Sequence, residues 1–518
     1  MQAPDIQLPD VFNAAAEFVD RHITEGRADR IALRYEGQTF SYGQVAESVN
    51  RVGNALSRLG VEMENRILLL LYDSPEFVAS FVGAIKIGAV PIPVNTLLRP
   101  HDYAYVLNDS RAKVLIAHRP LWAEVAKVQD RLTYLRHVVI VGEPDPGQYA
   151  FARWTADASA ELDPAPTSKD DVAFWLYSSG STGFPKGAVH LQHDMVYCAD
   201  LYARAVLNLN ADDVTLSAAK LFFAYGLGNN LYFPFRVGAT AILYPGRVLA
   251  ETMFEIIARE RPTVFFGVPT LYASMLAIPG AEQTYDLSSL RLCVSAGEAL
   301  PPELYTRWKA RFGTEILDGI GTTEILHIFI SNRPGCAKPG SSGTVVPGYA
   351  AKIVDEQGHP VKPGEIGNLM VQGESTCAYY WNQHAKTKQT LQGEWIVTGD
   401  KYYQDEEGYY WYAGRADDML KVGGIWVSPI EVENTLIQHP AVLEAAVVGQ
   451  EDEDHLIKPK AFVALQESYA PSPALEDELK AFVKDKIAPY KYPRWITFIP
   501  ELPKTATGKI QRFKLRQS

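Results

Sequence analysis

The chain has 518 residues, 47% hydrophobic and 21% charged, which is enough for several domains and ordinary for a water-soluble globular protein. A formal charge of −12 argues against a nucleic-acid partner, and no apolar run approaches the ~18 residues of a membrane helix. Cys198, Cys293, Cys336 and Cys377 form no CxxC pair and the start lacks a basic-then-apolar leader, so neither disulfides, zinc nor export is expected, and the cytoplasm is.

Residues 31–42 read as a hairpin with Glu36-Gly37 at its turn. The apolar run 67–71, an amphipathic segment 75–88 and a second run 90–94 make a βαβ unit, the building block of a parallel sheet. Strands at 114–117 and 138–141 extend it, and an Asp/Pro-rich linker spans 157–171. Alternation resumes with strands at 240–243, 264–266 and 292–295. From 343 to 414, short strands separated by Gly, Pro and Asp turns predict a small β-rich subdomain or barrel. The last hundred or so residues predict a compact α+β unit, with strands at 442–448, 461–465 and 496–499 and a helix over 475–486.

Four stretches carry chemistry. Tyr177-Ser178-Ser179-Gly180-Ser181-Thr182-Gly183-Phe184-Pro185-Lys186-Gly187 follows a buried apolar run and offers hydroxyls, backbone N–H groups and one ammonium to an anion. It is not a Walker loop, since Gly-Lys-Ser/Thr is absent. Asp318-Gly319-Ile320-Gly321-Thr322-Thr323-Glu324 fits a loop holding a nucleotide phosphate and a shared Mg²⁺, although alone it equally fits a capped turn. Thr398-Gly399-Asp400, followed by Gly414-Arg415-Ala416-Asp417-Asp418, offers a carboxylate to ribose hydroxyls, although Gly-Asp is more often a turn. Pro503-Lys504-Thr505-Ala506-Thr507-Gly508-Lys509 lies in a basic tail that by itself would read as a solvated end.

Together, in this order and spacing, these stretches resemble the acyl-adenylate-forming superfamily over nearly the whole chain. Ala218-Ala219-Lys220-Leu221-Phe222-Phe223-Ala224-Tyr225-Gly226-Leu227-Gly228-Asn229, Leu326-His327-Ile328 and the ending Ala488-Pro489-Tyr490-Lys491-Tyr492-Pro493-Arg494 resemble benzoate-CoA ligases in particular. The resemblance implies an α/β fold: a large N-terminal domain over 1–416 of two α/β sheet layers plus a β-barrel, and a small mobile α+β domain over 417–518 hinged at Asp417. It implies ATP, CoA and Mg²⁺ as cofactors and a small aromatic carboxylate as substrate, with no nucleic acid and no membrane; whether two copies form a homodimer is left open.

The resemblance also assigns roles. Ser178, Ser179, Gly180, Ser181, Thr182, Gly183 and Lys186 would cradle the β- and γ-phosphates, Thr323 the α-phosphate, and Glu324 the Mg²⁺. Ala296, Gly297 and Glu298 would flank adenine, with Asp318, Gly319 and Ile320 beside it and Asp318 near its amine. Asp400 and Arg415 would hold the ribose, and Lys509 would bridge carboxylate and α-phosphate. Lys421, Gly423 and Gly424 would border the pantetheine path after rotation about Asp417. Phe223, Ala224, Tyr225, Gly321, His327 and Ile328 would line the acyl pocket, although Phe222, Phe223, Tyr225 and His327 would pass equally as core residues.

Two departures bear on this. Thr322 stands where benzoate ligases have Ser, which puts substrate preference in doubt, and Gly423 and Trp426 stand where Ser and Tyr are usual. Hydroxy-, amino- or halobenzoates and cyclohexenecarboxylate stay open as substrates. A free-standing enzyme loading a carrier protein is the nearest rival, and a non-catalytic nucleotide-binding protein the rival from another class. The absence of a carboxylate in residues 222–225 argues against an amino acid substrate.

Overall fold

Successive strand residues face opposite ways, and in this chain both faces are apolar. In strand Arg66–Leu70, Ile67 and Leu69 enter one core while Leu68 and Leu70 enter another. The same parity separates Ala241 and Leu243 from Ile242, Phe266 from Phe265, and Leu317 from Ile316. Each sheet is therefore covered on both sides, which is why its strands read as unbroken apolar runs. The computed structural model describes residues 3–178, 185–416, 418–422, 425–453, 456–488, 491–504 and 510–516.

Two largely parallel sheets form the body of the large domain, beside a three-stranded antiparallel sheet of Tyr379–Tyr380, Lys186–Leu191 and Val172–Ser178. One has nine strands, in the order Thr344–Val345, Ile328–Ser331, Ile316–Gly321, Leu292–Ser295, Val264–Gly267, Val214–Ser217, Thr240–Leu243, Ile31–Tyr35 and Gln38–Ser41. Its six central strands, from Ile316–Gly321 to Ile31–Tyr35, are parallel. The other has five parallel strands, Val90–Pro93, Arg66–Leu70, Val114–His118, His137–Val141 and Tyr149–Ala150. Helices Tyr42–Arg58 and Pro75–Lys86 share the core common to both. Open parallel sheets bind ligands in the crevice beyond the carboxyl ends of their strands, and Ser217, Gly267, Ser295 and Gly321 mark that edge here.

Local chemistry sets the element boundaries. The expected hairpin turns at Glu36 (φ 47°) and Gly37 (φ 78°), the two left-handed residues of a type I′ turn. It ends at Ser41 and not at Tyr42. The Ser41 hydroxyl accepts the Gln44 N–H and the Gln44 side chain accepts the Ser41 N–H, a capping box that starts helix Tyr42–Arg58. The helix expected over 75–88 runs Pro75–Lys86, capped by Ser74, and Gly88 at φ 72° reverses the chain.

The β-rich segment is a five-stranded antiparallel sheet of Ala350–Val354, Gly367–Gln372, Leu391–Gln392, Trp395–Gln404 and Tyr410–Arg415, tied back by a bridge from Gly343 to Tyr410. Beyond it, strands Val442–Glu451, Ile457–Leu465 and Trp495–Phe498 pack with helices Pro429–Ile437 and Pro473–Lys486 around a core drawn only from residues 420–498. Among the described residues no helix is long and apolar enough to cross a membrane.

Candidate active site

Strands Val172–Ser178 and Lys186–Leu191 form the hairpin that carries the glycine-rich loop, with Ser178 paired to Lys186 at its open end. Ser179, Gly180, Ser181, Thr182 and Gly183 lie outside the described residues. At the loop's base, three donors converge on one carboxylate oxygen. Glu324 Oε1 accepts the Tyr380 hydroxyl at 2.7 Å, Lys186 Nζ at 3.3 Å and Ser178 Oγ at 3.4 Å. Lys186 Nζ also donates to the Tyr380 oxygen at 3.0 Å and sits 4.4 Å from the ring centroid. Burial alone would raise the Glu324 carboxyl, but the Lys186 charge and the Tyr380 hydroxyl hold it below its ordinary value, so it is ionised at neutral pH. Tyr380 was not among the expected residues, and nothing local to Ala378-Tyr379-Tyr380-Trp381 marks it.

Tyr380→Phe removes the shortest of these bonds without emptying the site. Adenylation is expected to slow roughly tenfold, the scale of one hydrogen bond to a charged group. Because the lost hydroxyl favours the ionised carboxylate, the acid limb of the pH–rate profile of pyrophosphate release should move to higher pH.

The turn that presents Thr323 and Glu324 is tethered at three consecutive carbonyls. His190 Nε2 donates to the Thr323 carbonyl at 2.8 Å, the Cys377 N–H to that of Glu324 at 2.7 Å, and the Ser375 hydroxyl to that of Ile325 at 2.8 Å. His190 is held in turn by Asp194 Oδ2, 2.6 Å from its Nδ1. Leu326 follows at φ 71°, a left-handed conformation that a non-glycine residue adopts only when its surroundings impose it. Among the described residues no group of three or more His, Cys, Asp or Glu is placed to hold a metal ion. A divalent ion would therefore rest on the Glu324 carboxylate and on nucleotide oxygens, the usual habit of Mg²⁺, and an ionised, half-buried Glu324 suits it.

Of the residues expected around the nucleoside, 296–298 and 318–320 lie at the carboxyl edge of the nine-stranded sheet, and Asp400 and Arg415 on the five-stranded antiparallel sheet. Asp318 ends in a buried Oδ1 with no hydrogen-bond partner among the described residues, and burial pushes its carboxyl well above the ordinary range. An amine donor would satisfy that atom. Gly319 and Ile320 continue its strand, while Ala296 is buried, Gly297 is exposed at φ 94°, and Glu298 Oε1 accepts the Ile510 N–H at 2.9 Å. Asp400 and Arg415 face each other across paired strands, Arg415 Nη1 donating to Asp400 Oδ1 at 3.0 Å.

Phe223, Ala224, Tyr225, Gly321, His327 and Ile328 are the residues expected to line the acyl pocket. Phe223, Ala224 and Tyr225 are partly exposed, whereas Phe222 is buried. Tyr225 donates its hydroxyl toward the Gly267 and Val294 carbonyls at 3.2 and 3.4 Å. His327 and Ile328 are almost wholly buried, the His327 ring packing 5.5 Å from Tyr225 and 4.4 Å from Phe233. His327 thus backs the wall that Tyr225 faces outward. Its Nε2 lies against Asn229 Oδ1 (3.1 Å) and the Tyr225 carbonyl (3.3 Å), so Nε2 carries the hydrogen; burial lowers its pKa to about 3 and keeps it neutral. Both neighbouring glycines are needed. A Cβ on Gly228 would stand 2.4 Å from the His327 ring, and one on Gly321 would stand 2.5 Å from the His327 carbonyl oxygen.

The pocket segment is anchored by Asp73, whose Oδ1 accepts the Leu221 N–H at 3.0 Å. Burial pushes the Asp73 carboxyl up to about 6, against the pull of Lys220 and of that N–H. The raised value means that the stability associated with its protonated form is complete below pH ~4 and lost as pH rises through about 6. Asp73→Asn keeps the acceptor without the charge. It should raise the melting temperature at pH 8, and the gain should vanish toward pH 4.

Lys421 lies on strand Leu420–Val422, paired with Ile425–Val427. Asp417, Gly423, Gly424 and Lys509 lie outside the described residues.

Known proteins with this arrangement carry a shared signature. Residues 20–381 match the model of the AMP-binding enzyme family, and 431–509 that of the AMP-binding enzyme C-terminal domain. The chain is 51% identical to the benzoate–CoA ligase of Thauera aromatica over 99% of its own length and 98% of that protein's. It superposes on the anthranilate CoA ligase AuaEII in complex with anthranoyl-AMP with a TM-score of 0.95, at 49% identity and 98% coverage of both chains. A benzoate CoA ligase from Burkholderia xenovorans LB400 gives a TM-score of 0.91 at 48% identity, covering 98% of this chain and 100% of that one. With matches over both regions and a half-identical relative along its whole length, this chain belongs to the AMP-binding enzyme family.

Proposed function

We propose that this chain is an AMP-forming acid–thiol ligase that activates benzoate, or a close aromatic carboxylate, as its acyl-adenylate and passes the acyl group to CoA. One juxtaposition carries the reading. Gly321, packed against the His327 backbone whose ring lies 5.5 Å from that of Tyr225, and Glu324, bonded to Lys186 at the base of the glycine-rich loop, are three residues apart. An aromatic acid lying against Gly321 has its carboxylate at Thr323, where the α-phosphate of ATP would be held. Half-identity to a benzoate–CoA ligase supports benzoate. ATP and CoA are cytoplasmic metabolites, which favours that compartment.

In the first half-reaction a carboxylate oxygen attacks the α-phosphorus and pyrophosphate leaves. Charge builds on the phosphoryl oxygens, so the site must align the reactants and meet that charge with fixed donors. Ser178, Lys186 and the residues between them hold the leaving pyrophosphate. Thr323 fixes the α-phosphate, and Lys509 bridges it to the carboxylate. A Mg²⁺ at Glu324 would neutralise part of the phosphate charge. Asp318 receives the adenine amine beside Ala296 and Gly297, and Asp400 with Arg415 receives the ribose. In the second half-reaction the domain beginning at Asp417 turns, withdrawing Lys509 and bringing Lys421, Gly423 and Gly424 to the adenylate. The CoA thiolate attacks the acyl carbonyl, AMP departs, and no side chain serves as a covalent nucleophile. Domain motion of this kind often limits turnover.

A substrate panel tests the choice of acid. Benzoate should give the highest kcat/KM among benzoate, its 2-amino, hydroxy and halo derivatives and short fatty acids. A preference for 2-aminobenzoate, which the anthranilate ligase neighbour's name would suggest, or for a fatty acid, would replace benzoate in this reading.

A further inference from the structure

A hydrogen bond connects the tail to the sheet edge. The N–H of Ile510, the residue directly after Lys509, donates to Glu298 Oε1 at 2.9 Å across 212 residues of chain. Glu298 stands just beyond the carboxyl end of strand Leu292–Ser295 and is half-buried. Further bonds of this tail lie within the small domain. Lys504 and Ile510 form an antiparallel bridge, and the Gln511 N–H donates to the Pro503 carbonyl at 2.8 Å. Lys504 Nζ pairs with Glu444 at 2.7 Å, and Arg512 Nη2 contacts both oxygens of the buried Glu433 at 2.7 and 3.0 Å. When the small domain turns, those bonds travel with it. The Glu298–Ile510 bond cannot, because its two ends belong to different domains.

We infer that the Glu298 carboxylate is a positioning group for Lys509: it latches the tail in the pose that forms the adenylate, and its release accompanies the thioester step. This rests on the two-step reading above. The backbone of residues 296–298 keeps its place on the adenine side, while the Glu298 side chain serves the tail. A contact present in only one of two poses shifts their balance by its own strength and no more. For a carboxylate accepting one backbone N–H that is roughly tenfold or somewhat above.

Glu298→Ala and Glu298→Gln in the full chain test this with four measurements. Pyrophosphate release is followed at saturating ATP and benzoate without CoA, and benzoyl-CoA formation from supplied benzoyl-adenylate and CoA. ATP affinity is measured without benzoate, and amide exchange is read by mass spectrometry over the peptide containing residues 510–516, with no substrate present. For Glu298→Ala, adenylation should fall about tenfold while thioester formation holds or rises. ATP affinity should barely move, and exchange at Ile510 should quicken. Glu298→Gln, which keeps an acceptor oxygen, should recover part of the loss. Equal loss in both half-reactions would show a general structural role, and a fall in ATP affinity matching the lost rate would show a nucleotide contact. Either result overturns the latch, and so does unchanged exchange. If the unmutated chain releases no pyrophosphate with any aromatic acid, the two-step reading fails, and the exchange measurement still decides whether Glu298 holds Ile510.

Discussion

Lys509→Ala is expected to lose benzoate-dependent pyrophosphate release by at least ~10²-fold, the scale of removing one fixed donor from a charged transition state. It should still convert supplied benzoyl-adenylate and CoA to the thioester. The reasoning is geometric as well as electrostatic. The neighbouring Ile510 reaches Glu298 at the carboxyl edge of the nine-stranded sheet, so the tail is docked on the same side as Thr323 and Glu324. In a crevice shared by a carboxylate and a triphosphate, two anions must approach each other, and an ammonium between them lowers that repulsion. Undiminished adenylation in this variant would remove Lys509 from the mechanism, and equal loss in both half-reactions would point to misfolding.

Ala224→Leu should lower kcat/KM for benzoate by at least ~10²-fold, since each added methylene in a closed pocket is worth ten- to two-hundredfold and the wall cannot retreat. Ala224 opens the short helix Ala224–Leu227 and is partly exposed beside Tyr225. His327 is clamped between Tyr225, Phe233 and Tyr202; Gly228 leaves no slack beside its ring and Gly321 none beside its backbone carbonyl. ATP affinity should be unchanged, because Glu324 and Lys186 lie beyond the turn. Benzoate activity that survives the substitution would mean that the ring lies elsewhere.

Much of this was legible because several signals agreed. Apolar runs marked the parallel strands, and Gly37 marked a reversal where φ is positive, whereas Gly88, read as the end of a helix, is itself such a reversal. The stretches around Lys186, Glu324, Asp400 and Arg415 stood out as ordered motifs, and the structure pairs Lys186 with Glu324 and Arg415 with Asp400. What escaped is of one physical kind: side chains whose meaning lies in a partner far along the chain. Tyr380 matters through Lys186, 194 residues away, and His190 through the Thr323 carbonyl, 133 residues away. Asp73 reaches the pocket loop across 148 residues. Periodicity and turn chemistry are local, so none of these could announce itself. The capping box of Ser41 and Gln44 is different; its spacing was visible, and the hairpin reading obscured it.

The claim that a carboxylate oxygen is joined to the α-phosphorus can be tested by following that oxygen. Benzoate labelled with oxygen-18 at both carboxylate positions is incubated with ATP, CoA, Mg²⁺ and the intact chain, and the products are weighed by mass spectrometry. Formation and breakdown of benzoyl-adenylate predict AMP carrying one labelled oxygen and benzoyl-CoA carrying the other. Unlabelled AMP, or label in orthophosphate alongside ADP, would contradict it.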